Sequence, residues 1–191
     1  VDDTEEAKRG WTKFSIDYMV MNDDSEDKAD ATLVMVNHED GGVFAYSVPS
    51  KGILGESQWI TKRMSKDIDN CGNSNSKLQI KSDQEPSTVV VQEEIRRLRT
   101  GRTICTNSPV GESECNGRAE NAVKRVEIKF RTIKANLERK LGCKIDHGKA
   151  ITSWMTRWAG EVITRYTVGR DGKIAWERRR GTNCKQMVPF G

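Results

Sequence analysis

Residues 77–106 read KLQIKSDQEPSTVVVQEEIRRLRTGRTICT, and the apolar spacing changes twice along them. KLQIK has the alternation of a short strand. From Ser87, a residue type whose hydroxyl caps helix N-termini, STVVVQEEIRRLRT reads as a helix with Val89, Val90, Ile95 and Leu98 turned inward, stopped by Gly101. RTICT is again strand-like. A helix strung between two strands indicates an α/β layer architecture.

Upstream, WTKFSIDYMVM (11–21) alternates Phe14, Ile16, Tyr18 and Val20 on one face, which puts Asp17 on the other. ATLVMVN (31–37) and VFAYSVP (43–49) are two more strand-like runs, hinged at His38-Glu39-Asp40-Gly41-Gly42, where the glycines permit a hairpin. The three form a meander. Residues 52–69 carry Ile53, Leu54, Trp59, Ile60, Met64 and Ile68 at helical spacing. Downstream, a Pro/Gly/Ser-rich loop (108–117) precedes a long helix, 118–141, whose apolar residues from Ala119 to Leu141 advance by three or four until Gly142 closes it. A second amphipathic helix, 151–166, is expected to bury Trp154 and Trp158 against protein. A Gly-punctuated basic tail, GRDGKIAWERRRGTNCK (169–185), follows.

With 191 residues, 35% apolar and 31% charged, and a mean hydropathy of −0.71, the chain can fill one ordinary core and an appendage. No apolar run approaches the length of a spanning helix, and the acidic start VDDTEEAKRG is no signal peptide. The missing initial Met suggests an excised piece of a longer chain. The net charge of +4 is unevenly spread: residues 1–40 carry 12 acids and 4 bases, residues 41–95 carry 7 and 6, and residues 96–191 carry 9 and 22. So basic a second half suits a polyanionic partner. Five scattered cysteines without a C-x-x-C pair fit a reducing, intracellular setting, and neither His38 nor His147 stands at zinc-ligand spacing. The acidic loop NDDSEDKAD lacks the Gly and Glu of a calcium loop.

Metal chemistry therefore falls to carboxylates. Asp17 lies within the first strand, Asp83 just after KLQIK, and Glu120 in the first turn of the long helix, all at element ends or opposite core residues. Carboxylates so placed can hold two divalent ions that activate a hydroxyl and stabilise a leaving oxygen at phosphorus, and Mg²⁺ suits an all-oxygen site.

The order of elements and the acids within them resembles the integrase catalytic core of retroviruses and copia-like LTR retrotransposons, in the ribonuclease-H-like superfamily. Asp83 and Glu120 have 36 residues between them, near the family's D-D-35-E spacing. IKSDQEPS resembles its strand–Asp segment, and TNSPVGESECNGRAENAVKRV its T-x-x-P…N-G-x-x-E-x-x-x-K segment, through Pro109, Asn116, Gly117, Glu120 and Lys124. The tail Gly172-Lys173-Ile174-Ala175-Trp176-Glu177, with Gly181, is similar to the copia-type sequence downstream of the core. Where the family has Gly just after the second Asp, this chain has Gln84-Glu85-Pro86, which adds a carboxylate beside the site.

The resemblance implies a ribonuclease-H-like three-layer fold: a five-stranded mixed sheet, its first three strands antiparallel, with helices on both faces. It divides the chain into an acidic linker (1–10), a catalytic core (11–142) and a helical, basic C-terminal extension (143–191). It implies a polynucleotidyl transferase that trims a 3′ end and joins it to target DNA. Asp17, Asp83 and Glu120 would be its catalytic residues and the ligands of two Mg²⁺ or Mn²⁺ ions. Lys124, Arg118, Arg131, Asn116 and Gly117 would contact DNA. The partners expected are DNA and further copies of the chain, with no membrane, and the work would be done in the nucleus. Two other readings remain open: a decayed or domesticated core that binds without catalysis, and another nuclease of this superfamily.

Overall fold

The computed structural model describes residues 10–20, 30–53, 55–107, 117–188 and 190. Five strands form one mixed sheet in the order β3-β2-β1-β4-β5. The strands are β1 (Thr12–Val20), β2 (Ala31–Asn37), β3 (Val43–Val48), β4 (Leu78–Ser82) and β5 (Thr103–Asn107). The first three are an antiparallel meander, whereas β4 lies parallel to β1 and β5 parallel to β4. The expected three-layer α/β architecture is therefore present.

Alternation along the strands builds the two outer layers. Phe14, Ile16, Tyr18, Leu33, Met35, Leu78 and Ile80 point to one face and pack against α1 (Trp59–Ile68) and α2 (Pro86–Leu98). Met19, Val34, Val36, Val43 and Ala45 point to the other, against α3 (Gly117–Leu141) and α4 (Ala150–Tyr166). Parallel strands need a crossover, and α2 between β4 and β5 supplies it. Among the described residues no helix is long and apolar enough to cross a membrane.

Three local expectations need correction. Glu85, not Ser87, is the N-cap of α2, with Pro86 at the first helical position, and the Ser87 hydroxyl donates to Glu85 Oε1 (2.9 Å). The buried face of α2 is Thr88, Val91, Gln92 and Ile95, while Val90 is 44% exposed, because a helix of three consecutive valines can bury only part of them. In α4 the packed face is Thr152, Met155, Thr156, Ala159, Gly160 and Ile163, so Trp154 is turned outward, 72% exposed, and Trp158 is half-buried against Phe190. The small residues at 159 and 160 let the backbone of α4 approach the sheet, which rotates the tryptophans off the core.

At Gly160 a Cβ would lie 3.1 Å from both Ala45 N and Val43 O, so α4 rests on the β3 backbone itself. The Thr164 hydroxyl seals that contact, donating to Val43 O (3.0 Å) and accepting from Val43 N–H (2.9 Å). Gly160→Val should therefore cost about 1–3 kcal/mol by overpacking; an unchanged urea midpoint would show that α4 can back away freely.

The tail is not a plain basic segment: it holds α5 (Ala175–Arg180), closed by Gly181 at φ 66. Arg179 of α5 makes a bidentate pair with Asp40 of the β2–β3 hairpin (2.6 and 3.1 Å), and Arg178 Nη1 donates to Asp40 O (2.7 Å). A Cβ at Gly42 would run into the Arg179 guanidinium, so glycine there is the condition for the pair.

Candidate active site

Asp17 sits on the α3 face of β1 between Ser15 and Met19, the two residues that share its side of the strand. The parallel β1–β4 ladder pairs Lys13 with Gln79 and ends at Ser15 with Lys81, and Asp83 follows directly on the last residue of β4. Glu120 enters from above, in the first turn of α3, whose next turns hold Ala122 and Val126 against the sheet. The charges act on one another: the Asp17 carboxyl is pushed up to about 6, by burial first, then by Asp83, with further contributions from Glu120 and Glu85. A shared negative field of this kind favours a cation.

As the side chains stand, no group of three His, Cys, Asp or Glu residues among the described residues closes around an ion. Asp17 Oδ1 accepts from the backbone N–H of Tyr18 (2.8 Å), and Asp83 Oδ1 accepts from the N–H of Glu85 (3.2 Å), so each carboxylate is turned partly onto its own chain. The all-oxygen donors of the three residues suit Mg²⁺ in chemistry.

The extra carboxylate at Glu85 is engaged elsewhere. Lys51 Nζ donates to both its oxygens (2.8 and 3.0 Å) and Ser87 donates to one. Ser82, fully buried, secures the end of β4 by donating to Asp83 O (2.7 Å), with Asn107 Oδ1 of β5 as the alternative acceptor (3.3 Å).

Of the residues expected to meet DNA, Lys124 is exposed on α3 and has no carboxylate partner among the described residues. Arg131 is paired with Glu127 (2.8 Å). Arg118 reaches back to the sheet and donates to His38 O (3.0 Å). Gly117 opens α3, and Asn116 and the loop 108–116 lie outside the described residues, as do Asp23, Asp24 and the rest of the acidic loop up to residue 29. The strand residues Lys13, Ser15 and Lys81, and the turn residue His38 bonded to Ser15, were missed in the sequence. Their signal was there in period-2 form, since Lys81 stands two places before Asp83 and Ser15 two before Asp17.

Thiol chemistry has no foothold here. Burial pushes Cys71 up to about 11 and Cys105 up to about 12, and the four described cysteines are free. A cleft of about 750 Å³ opens elsewhere, along the outer edge of β3 between α1 and α4, lined by Trp59, Trp154 and Trp158 among others; none of the three carboxylates lines it.

No protein-family model matches the chain, and no curated protein matches it in sequence. Solved structures do match it. The HTLV-2 integrase catalytic core domain with magnesium, in its trimeric form, aligns at a TM-score of 0.57 and 14% identity over 88% of this chain and 95% of that one. The dimeric form of the same domain gives 0.58 and 12%, over 88% and 94%. The fold is that of an integrase catalytic core. A chain of the simian T-cell lymphotropic virus intasome, in complex with the PP2A regulatory subunit B56 gamma, aligns at 0.57 and 14%, over 93% of this chain and 58% of that one. Past α3, residues of α4 complete the core beneath β2 and β3.

Proposed function

We propose that this chain is the catalytic core of a retrotransposon-type integrase, a metal-dependent polynucleotidyl transferase that processes a 3′ end and transfers it to target DNA. The observation that carries this reading is that Asp83, just past the end of β4, and Glu120, in the first turn of α3, both raise the Asp17 carboxyl of the neighbouring strand β1. Asp17, Asp83 and Glu120 would hold two Mg²⁺ or Mn²⁺ ions; the two solved HTLV-2 cores with this fold are magnesium complexes. The ions would supply Lewis-acid activation of the attacking hydroxyl and charge stabilisation of the leaving oxygen. The chain's own contribution is orientation: β1 and β4 hold two carboxylates at one spacing, and the rigid first turn of α3 delivers the third. Lys124, Arg118 and Arg131 would attract the phosphate backbone regardless of base sequence, and the work would be done on nuclear DNA.

Strand transfer of a short duplex end into plasmid DNA, with Mg²⁺ or Mn²⁺ and with EDTA, tests the reading. Joined product that depends on metal is expected; DNA binding without joining would favour the second reading, a core that binds without catalysis. That reading draws on the Asp83 Oδ1 bond to Glu85 N–H, which holds the carboxylate in a turn.

We further propose that the chain works as a homo-oligomer, because joining two ends to one target requires more than one active site. Trp154, 72% exposed beside the β3 cleft, is the surface feature that supports it, and the HTLV-2 cores are described in dimeric and trimeric forms. Trp154→Glu should shift the sedimentation profile towards monomer at micromolar concentration; an unaltered profile would remove Trp154 from the interface.

A further inference from the structure

Behind the carboxylates, towards the start of the strands, the α3 face of the sheet carries a second constellation. Lys13 shares this face with Ser15 and Asp17, and His38 lies across from it, donating its backbone N–H to Lys13 O (2.9 Å). Lys81 pairs in register with Ser15 on β4. The Ser15 hydroxyl is bonded to His38 Nε2 (2.7 Å), and Arg118 closes the group from α3 through its bond to His38 O (3.0 Å). Three cations from three elements thus surround one imidazole, about 7 Å, or two residues of strand, from the candidate metal ligands.

Several arginines elsewhere are paired with acids: Arg63 with Asp67, Arg96 with Glu93, Arg131 with Glu127, Arg165 with Glu161. Lys13, Lys81 and Arg118 have no carboxylate partner among the described residues. Clustering like charges costs stability unless an anion is brought to them. Nor does the imidazole add to the charge: burial, then Arg118, Lys81 and Lys13, hold His38 down at about 4, so it is neutral near pH 7 and serves as a hydrogen-bonded floor.

We propose that Lys13, Lys81 and Arg118, arranged around the Ser15–His38 pair, form a seat for a backbone phosphodiester of bound DNA, one strand row behind the reacting phosphate. The proposal rests on the reading of the chain as a DNA-acting core, and it adds where the neighbouring phosphate sits. Three donors from β1, β4 and α3 can converge on one phosphate, and that convergence would hold the DNA in register with the carboxylates. The His38 carbonyl holds Arg118 over the sheet, and the Ser15–His38 side-chain bond fixes the imidazole as the floor between the cations.

Equilibrium binding of a 20-base-pair duplex by fluorescence anisotropy, in EDTA and over a series of NaCl concentrations, tests the seat. Without metal no joining runs, so the result is independent of whether strand transfer succeeds. Each phosphate contact contributes about 0.9 to the slope of log affinity against log salt. Lys81→Gln and Lys13→Gln should each weaken binding about 3–10-fold at low salt and flatten that slope by about one contact. Lys62→Gln, on α1 and across the sheet, should change neither. His38→Ala, which keeps the backbone carbonyl that Arg118 holds, should weaken binding less than Lys81→Gln and leave the loss caused by Arg118→Lys intact. Slopes for Lys13→Gln and Lys81→Gln equal to that of Lys62→Gln would overturn the proposal. So would displacement of the duplex by millimolar inorganic phosphate at constant ionic strength, which would make this a site for free phosphate. Unchanged thermal midpoints of the glutamine variants, whose side chains are part-exposed, separate lost contacts from lost folding.

Discussion

Asp83→Asn is expected to lower metal-dependent strand transfer by about 10²–10³-fold, the loss that follows when several kcal/mol of metal-borne charge stabilisation are removed. Asp17→Asn should do the same and, at neutral pH, make the protein more stable. The Asp17 carboxyl titrates near 6 in the folded chain, above its ordinary value, so the folded chain holds that proton more tightly than the unfolded chain does. Stability from this group is therefore fully present below about pH 4 and declines as the pH rises through about 6. Removing the charge should restore about 1 kcal/mol at pH 7, the full linkage being reduced because solvent reaches the group. Thermal melts from pH 4 to 8 should show an advantage of Asp17→Asn over the wild type that grows as the pH rises through about 6; comparing the two chains cancels His38, which is held down at about 4 and contributes the opposite slope to both. Magnesium should raise the midpoint of the wild type and have little effect on either variant. An advantage of Asp17→Asn no larger at pH 7.5 than at pH 4.5 without metal would contradict the site's electrostatics, and full strand transfer by Asp83→Asn would remove that residue from the chemistry.

The second large effect concerns the clasp between α5 and the β2–β3 hairpin. The side chains of Arg179 and Asp40 are only 11% and 7% exposed, and each depends on the other for compensation. Arg179→Ala would leave Asp40 buried with only Asn37 Nδ2 (3.1 Å) and the Gly42 N–H (2.6 Å) as donors, and would strip the guanidinium from the Phe44 ring. Breaking such a pair from one side typically costs about 3–5 kcal/mol, which for a domain of this size lowers the melting temperature by roughly 10 °C. The double variant Asp40→Ala/Arg179→Ala should cost clearly less than the sum of the single ones. Additive losses would mean that α5 and the hairpin are held independently.

Local pattern made most of the fold readable. Strands with one apolar face, a helix stopped before Gly101 and the long heptad-like run after Gly117 each follow from side-chain period and from the backbone limits of Pro and Gly. Period places Asp17 opposite the core face of its strand and Glu120 in the first turn of its helix, but the choice of Asp17, Asp83 and Glu120 as a set comes from the resemblance of IKSDQEPS and NGRAENAVK to the integrase segments. Tertiary structure decided what period alone leaves degenerate. In α4 two overlapping faces are apolar, and the one that packs is the one whose Gly160 lets the helix touch β3, which leaves Trp154 outside. In the tail, AWERRR became a helix because Arg179 finds Asp40, 139 residues earlier in the chain, and no local pattern encodes a partner at that distance. The shelf of Lys13, Lys81 and Arg118 exists only through strand register, which places β4 beside β1 although more than 50 residues separate them in sequence. Spacing along the chain determines which side of an element a residue occupies; which residues then face one another is settled only when the sheet pairs its backbone groups.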